Sequence, residues 1–138
     1  MGRIQTDIFI SGGGIAGLTA GIALARSGFQ VVLADPAPPP QNSAAEAADL
    51  RSTAFLQPAR ALLKEAGLWA HLAEQAMPLE ALRVINLAGE PPEIATERTF
   101  QADDLGEVAF GWNLPNWLTR RVLTEAAEAT ENLDLRIG

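Results

Sequence analysis

The sequence contains no cysteine, which excludes disulfides, thiolate-bound metals and cysteine nucleophiles outright. It has a single histidine, His71, so a zinc site would depend on carboxylates almost alone, a ligand set zinc disfavours. Positive charge is scarce as well: 10 Lys and Arg against 17 Asp and Glu give a net charge of −7. Apart from the pair Arg120–Arg121 the basic residues are scattered, so there is no stripe to neutralise nucleic-acid phosphates. No run approaches the ~18 uninterrupted apolar residues of a membrane-spanning helix. The N-terminal MGRIQTDIFI lacks the apolar core and cleavage site of a secretory signal. These absences predict a soluble cytoplasmic protein without a metal. His71 and the pair Asp103–Asp104 are expected to be solvated.

What is present is a chain of 138 residues, 48 % of them hydrophobic, enough for one packed core. Residues 4–10, rich in Ile and Phe, predict a buried strand. Residues 15–27 predict a helix stopped by Gly28, and residues 29–35 a second strand ending on an acid. Strand, glycine turn, helix and strand make a βαβ unit with parallel strands. The proline-rich residues 36–48 predict a connector that leaves the sheet. Residues 49–76 are helical in composition, with Pro58 opening a helix and Gly67 dividing the run in two. Strands are expected at 80–89, near 97–101 and at 106–114. A helix with Asn116 as its N-cap and Leu118, Val122, Leu123 and Ala126 inside follows, and 133–137 is a last short strand.

The glycines between the first strand and helix carry the chemistry. Gly12, Gly14 and Gly17 form GxGxxG. The first permits a tight turn, the second lets a pyrophosphate approach backbone that has no Cβ, and the third lets helix and strand pack closely. Ile15 and Ala16 complete the motif where the helix begins, and the first N–H groups of that helix favour phosphate. Gly17, Gly21, Ala25 and Gly28 continue as a stripe of small residues on one helix face. Asp35 closes the second strand 18 residues beyond Gly17, where a carboxylate accepts hydrogen bonds from ribose hydroxyls and repels a 2′-phosphate. The combination predicts an adenine-dinucleotide site, and the fingerprint by itself does not separate FAD from NAD.

The longer pattern across residues 12–35 resembles the N-terminal FAD motif of flavoprotein oxidoreductases, with Asp35 where that group usually has Glu. DLRSTAFLQPARALLKEAGLW, residues 49–69, and FGWNLPNWLTRRVL, residues 110–123, resemble segments of the ubiquinone-biosynthesis hydroxylases. Those are flavin-dependent aromatic monooxygenases related to para-hydroxybenzoate hydroxylase. The resemblance implies a Rossmann-like FAD-binding α/β fold, with Asp35 on the adenosine ribose, Arg51 against the pyrophosphate or ribose, and Asn116 near the ribityl chain. An ion pair with Asp49 or Glu46 is the competing role for Arg51, and a helix cap the competing role for Asn116. Pro115 replaces the acid common before that Asn. The resemblance also implies NAD(P)H as co-substrate and an aromatic substrate such as a polyprenylated phenol. No residue here can be assigned as a catalytic acid or base.

The family's later glycine–aspartate motifs do not occur, so the chain is expected to be the N-terminal part of such an enzyme, incomplete at its C-terminus and inactive alone. Residues 1–78 would begin the FAD-binding domain, 79–114 would supply strands of the substrate-binding domain, and 115–138 would return to the first. An NAD-dependent dehydrogenase fragment and a non-catalytic remnant or assembly subunit are the alternatives, the latter pairing its unfinished sheet edge with another chain. Trp69, Trp112 and Trp117 are expected to anchor the core or an interface.

Overall fold

The computed structural model describes residues 5–138. The expected first strand therefore begins, at Ile4, outside the described residues. Strand β1 (Ile8–Ser11) runs into helix α1 (Ile15–Arg26) and then strand β2 (Val31–Asp35). Gly28 follows the helix with φ +97°, a conformation that glycine tolerates best. Its missing Cβ would meet nothing, so Gly28 serves as the helix stop and not as part of the packing stripe. Residues 36–51 form no helix and only bends and turns, as their prolines dictate.

Next come strand β3 (Ser52–Leu56), helix α2 (Gln57–Glu65) and the short helix α3 (Trp69–Leu72). Pro58 lies in the first turn of α2, where its missing N–H leaves no ladder bond unmade, and Gly67 breaks the two helices at φ +67°. Strand β3 corrects the expectation of helix across residues 49–56. Thr53 and Phe55 suit a pleated surface, and a ladder to a strand more than fifty residues away overrides local composition. Strands β4 (Met77–Leu79), β5 (Ala81–Ala88) and β6 (Glu93–Gln101) follow, then β7 (Gly111–Pro115), helix α4 (Asn116–Glu128) and β8 (Leu133–Ile137). β4 was not expected from the sequence. β7 starts five residues later than expected: Gly106 ends a 3-10 turn in the left-handed region, at φ +71°, and residues 107–110 form only bends and irregular chain. At Gly111 a Cβ would stand 2.6 Å from the Phe55 carbonyl oxygen, so only glycine permits this pairing.

Among the described residues the strands form three sheets. The first is parallel, in the order β1–β2–β8, and the row Ile10, Leu33, Leu135 crosses it in register. The second is antiparallel, β3–β7–β4, and the third is the β5–β6 hairpin, whose residues are all exposed. Helix α1 lies close to the parallel sheet: a Cβ on Gly21 would come within 3.1 Å of Leu33 and 3.2 Å of Leu133. That approach offsets the roughly 1 kcal/mol that a mid-helix glycine costs relative to alanine.

Leu18 and Ile22 of α1, Leu33 of β2 and Leu123 and Ala127 of α4 join Leu63, Leu72 and Leu114 in one buried cluster. Of the residues expected inside α4, Leu118 and Leu123 are buried, and Val122 and Ala126 pack half-buried against the cluster. Trp69 and Trp112 are core residues whose rings meet edge to face at 5.7 Å, and the Arg60 guanidinium lies 4.0 Å over Trp112. Among the described residues no helix is long and apolar enough to cross a membrane.

Candidate functional site

The site forms where β1 and β2 end and α1 begins. Gly12 holds φ +114°, and its N–H donates to the Ala34 carbonyl at 2.8 Å, which turns the chain out of the sheet. A Cβ on Gly17 would stand only 2.0 Å from the Gly12 carbonyl oxygen. Gly17 thus allows helix and loop to touch, and its contribution is packing. Gly14 differs. It is the N-cap residue of α1, in ordinary extended backbone, and a Cβ there would meet nothing within 4 Å. The open space lies at the N-terminus of a 12-residue helix that has no side-chain cap and no acid in its first turn. Donors at this position favour phosphate, so the cradle fits the pyrophosphate of a dinucleotide.

Asp35, the last residue of β2, accepts the Gly13 N–H at 2.6 Å through Oδ2 and the Ala37 N–H at 2.8 Å through Oδ1. Arg120 of α4 donates through Nη2 to the same Oδ1 at 3.2 Å. Burial is the largest influence on this carboxyl and pushes its pKa up, but the Ala37 and Gly13 hydrogen bonds and the Arg120 charge together hold it below the usual carboxylate value. It is therefore ionised at neutral pH and available as an acceptor for ribose hydroxyls.

A second polar group stands beside it. Asn116 donates to Asp49 at 3.0 Å and accepts from Thr53 Oγ1 at 2.7 Å. It is the first residue of α4, with Pro115 as the N-cap, so its side chain links the connector to β3 instead of capping the helix as expected. Arg51 forms a two-point ion pair with Asp49, at 2.9 and 2.8 Å, and its own side chain is 85 % exposed. The Arg51 side-chain hydrogen bond, followed by that of Asn116, holds the Asp49 carboxyl far below the ordinary range. A cleft of about 360 Å³ brings together Gly14, Ile15, Asp35, Asp49, Asn116 and Arg120. Ile15 and Ala16 also border an apolar groove on the α2 side of α1.

The structure thus brings Gly12, Gly14, Ile15, Ala16, Gly17 and Asp35 to one corner, and Asn116 to its far wall. Arg51 is adjacent but engaged by Asp49. Sequence reasoning missed Gly13 as a partner of Asp35; three consecutive glycines were the available signal. Arg120 enters the site, whereas Arg121 donates to the Gln41 carbonyl and stacks at 5.5 Å on Trp117, which lines the cleft. His71 is exposed, and Asp104 accepts the Gln101 N–H in a turn. No cluster of metal-ligating side chains exists among the described residues.

The family model of the FAD-dependent oxidoreductases matches residues 7–137. The chain is 32 % identical over 133 residues to the 3-demethoxyubiquinol 3-hydroxylase of Escherichia coli K12, spanning 96 % of this chain and 32 % of that protein. Its fold is similar to that of p-nitrophenol 4-monooxygenase PnpA from Pseudomonas putida, with a TM-score of 0.74 at 18 % identity over 99 % of this chain and 32 % of the other. It is similar as well to the flavin-dependent monooxygenase PieE solved with FAD and substrate, with a TM-score of 0.72 at 21 % identity over all of this chain and 24 % of that one. The chain therefore spans about a third or less of the relatives it matches.

Proposed function

The chain belongs to the FAD-dependent oxidoreductase family, and from that premise we propose that it supplies the adenosine and pyrophosphate end of the FAD site of an aromatic-ring monooxygenase. The observation that carries the reading is the open cradle at Gly14 beside an ionised Asp35. In it the N–H groups of Ile15 and Ala16 face the pyrophosphate, and Asp35 accepts from the ribose. Gly12 and Gly17 keep the loop against the helix. Asn116 contributes from the far wall, toward the ribityl chain, and Arg51 would turn to a phosphate on leaving Asp49. FAD, when bound, supplies the redox chemistry. The residues described here bind and orient it.

NAD(P)H as the electron source, and hydroxylation of a phenolic ring such as a polyprenylated phenol, belong to the same proposal. Support for them comes from the likeness to the ubiquinol hydroxylase. Residues 1–78 and 115–138 would serve the cofactor domain and residues 79–114 the substrate domain; β8 lying beside β2 supports the return of the last segment, while β7, paired with β3 and β4, would join the two. The cytoplasm is the compartment proposed. The 138 residues by themselves are expected to bind cofactor without turning over substrate.

The test is an absorption spectrum of the purified chain after incubation with excess FAD and desalting. Retained flavin absorbance is the expected result. If excess NAD, and not FAD, is retained in the same protocol, the reading gives way to a dehydrogenase fragment.

A further inference from the structure

Arg120 has no role in the fingerprint, yet it touches both the glycine loop and the acid that closes the second strand. Its Nε donates to the Gly13 carbonyl at 3.0 Å, and its Nη2 donates to Asp35 Oδ1 at 3.2 Å and to the Ala37 carbonyl at 2.6 Å. One guanidinium from α4 therefore ties the glycine loop, the end of β2 and the start of the connector together across more than eighty residues of sequence. Its side chain is 22 % exposed and that of Asp35 15 %, so the pair is sheltered from the solvent that weakens surface ion pairs. The Gly13 peptide is held from both sides: its N–H binds Asp35 and its C=O binds Arg120.

We propose that Arg120 is a positioning residue of the adenosine-ribose site, fixing the Asp35 carboxylate and the Gly13 peptide in the arrangement that receives a neutral diol. This rests on the dinucleotide reading of the cleft. Three acceptors in different directions require the planar fork of arginine; the single ammonium of lysine satisfies them only in part. Because the guanidinium is consumed by protein acceptors, it adds no recognition of a 2′-phosphate, and Asp35 remains the group the ligand meets. Without Arg120 the carboxylate loses its counter-charge and the Gly13 and Ala37 carbonyls lose a donor, which frees Asp35 to turn from the ribose.

The proposal is tested with ADP and 2′-deoxy-ADP, which differ by the hydroxyl that Asp35 would accept. Dissociation constants are measured calorimetrically for the wild-type chain, Arg120→Gln, Arg120→Lys and the neighbouring control Arg121→Gln. We expect Arg120→Gln to weaken ADP about tenfold, the order set by one charge-assisted hydrogen bond, and to leave 2′-deoxy-ADP nearly unchanged. Arg120→Lys should recover part of the loss, and Arg121→Gln should reproduce none of it. Equal losses for both ligands would make Arg120 a general structural brace and overturn the proposal while leaving the dinucleotide reading intact. Unaltered ADP affinity in Arg120→Gln overturns it likewise. A wild-type chain that binds neither ligand, or does not distinguish them, overturns the ribose role of Asp35 and this proposal together. If Arg120→Gln fails to fold by circular dichroism, the Arg120→Lys comparison decides, with a loss of about threefold confined to ADP expected.

Discussion

Two glycines of one fingerprint should fail in opposite ways when each is replaced by alanine. At Gly17 the new Cβ would stand 2.0 Å from the Gly12 carbonyl oxygen, against the 3.0 Å inside which real Cβ atoms essentially never come. Helix or loop must therefore retreat by about 1 Å, the difference between those two distances. Overpacking of this kind costs about 1–3 kcal/mol. The displaced Gly12–Gly13 peptide also carries the N–H that binds Asp35, and losing a hydrogen bond to a charged group adds about 1.5–3 kcal/mol. Gly17→Ala should thus lose about 2.5–6 kcal/mol, a large part of the 5–15 kcal/mol typical of a domain, and melt at least ~10 °C lower. Gly14→Ala meets open space, at φ −78°, which alanine adopts freely. The weaker N-cap, ~1 kcal/mol, is offset by the smaller entropy of the unfolded chain, about 0.4–1 kcal/mol. Its melting temperature should stay within ~3 °C of wild type, while FAD affinity falls at least about tenfold because the methyl occupies the pyrophosphate's approach. Thermal melts by circular dichroism and flavin-fluorescence titrations separate the two. A Gly14→Ala chain that melts as low as Gly17→Ala, or binds FAD as wild type does, would refute the assignment of one glycine to the ligand and the other to the fold.

Asp35→Asn keeps the shape and removes the charge, so it should lower stability at neutral pH by about 2 kcal/mol in urea titrations. Because the folded-state pKa of Asp35 is depressed, its stabilising contribution is complete above the ordinary carboxylate value near 4 and fades as pH falls through the lower folded value. The gap between wild type and Asp35→Asn should therefore be constant from pH 5 to 7 and close on acidification; a gap that widens below pH 4 contradicts the ion-pair account. Among the described residues β1 pairs only with β2, and we propose that its open edge lets two copies of the chain associate. Sedimentation velocity should show a dimer that dissociates on dilution and is lost in Phe9→Pro, which removes an N–H on the open side of β1 and leaves the ladder to β2 intact; a monomer at every concentration rejects the edge as a partner surface.

The parts of the fold legible in the sequence were those whose cause is local. Helix α1 lies between a glycine turn and a glycine stop, and both are set by backbone freedom at Gly12 and Gly28. β8 was legible to its last residue, because Leu133, Leu135 and Ile137 alternate inward with Asp134 and Arg136 outward. β3 was not: Ser52–Leu56 sits beside good helix formers, and only the antiparallel ladder to Gly111–Pro115 makes it a strand. β4 fails for the same reason, since three residues carry no period and owe their strand form to β7. Asn116 was placed on α4 correctly but one position off, because Pro115 itself is extended and serves as the N-cap.

The candidate site divides along the same line, and the division bears on how such sites are read. Gly12, Gly14, Gly17 and Asp35 fall within 24 residues, so their spacing encodes the turn, the helix start and the strand end together. Gly13 and Arg120 are 107 positions apart, and nothing in the spacing of either predicts that Arg120 will hold the loop. Yet the requirement was implicit. A carboxylate that two backbone N–H groups draw into a half-buried corner carries a charge that must be balanced, and in a chain of net charge −7 few cations are at hand. The question to put to such a fingerprint is where its acid finds a counter-charge. In this chain the answer lies on the helix that leads into the third parallel strand, so the local motif is finished only when β8 and α4 have folded onto it.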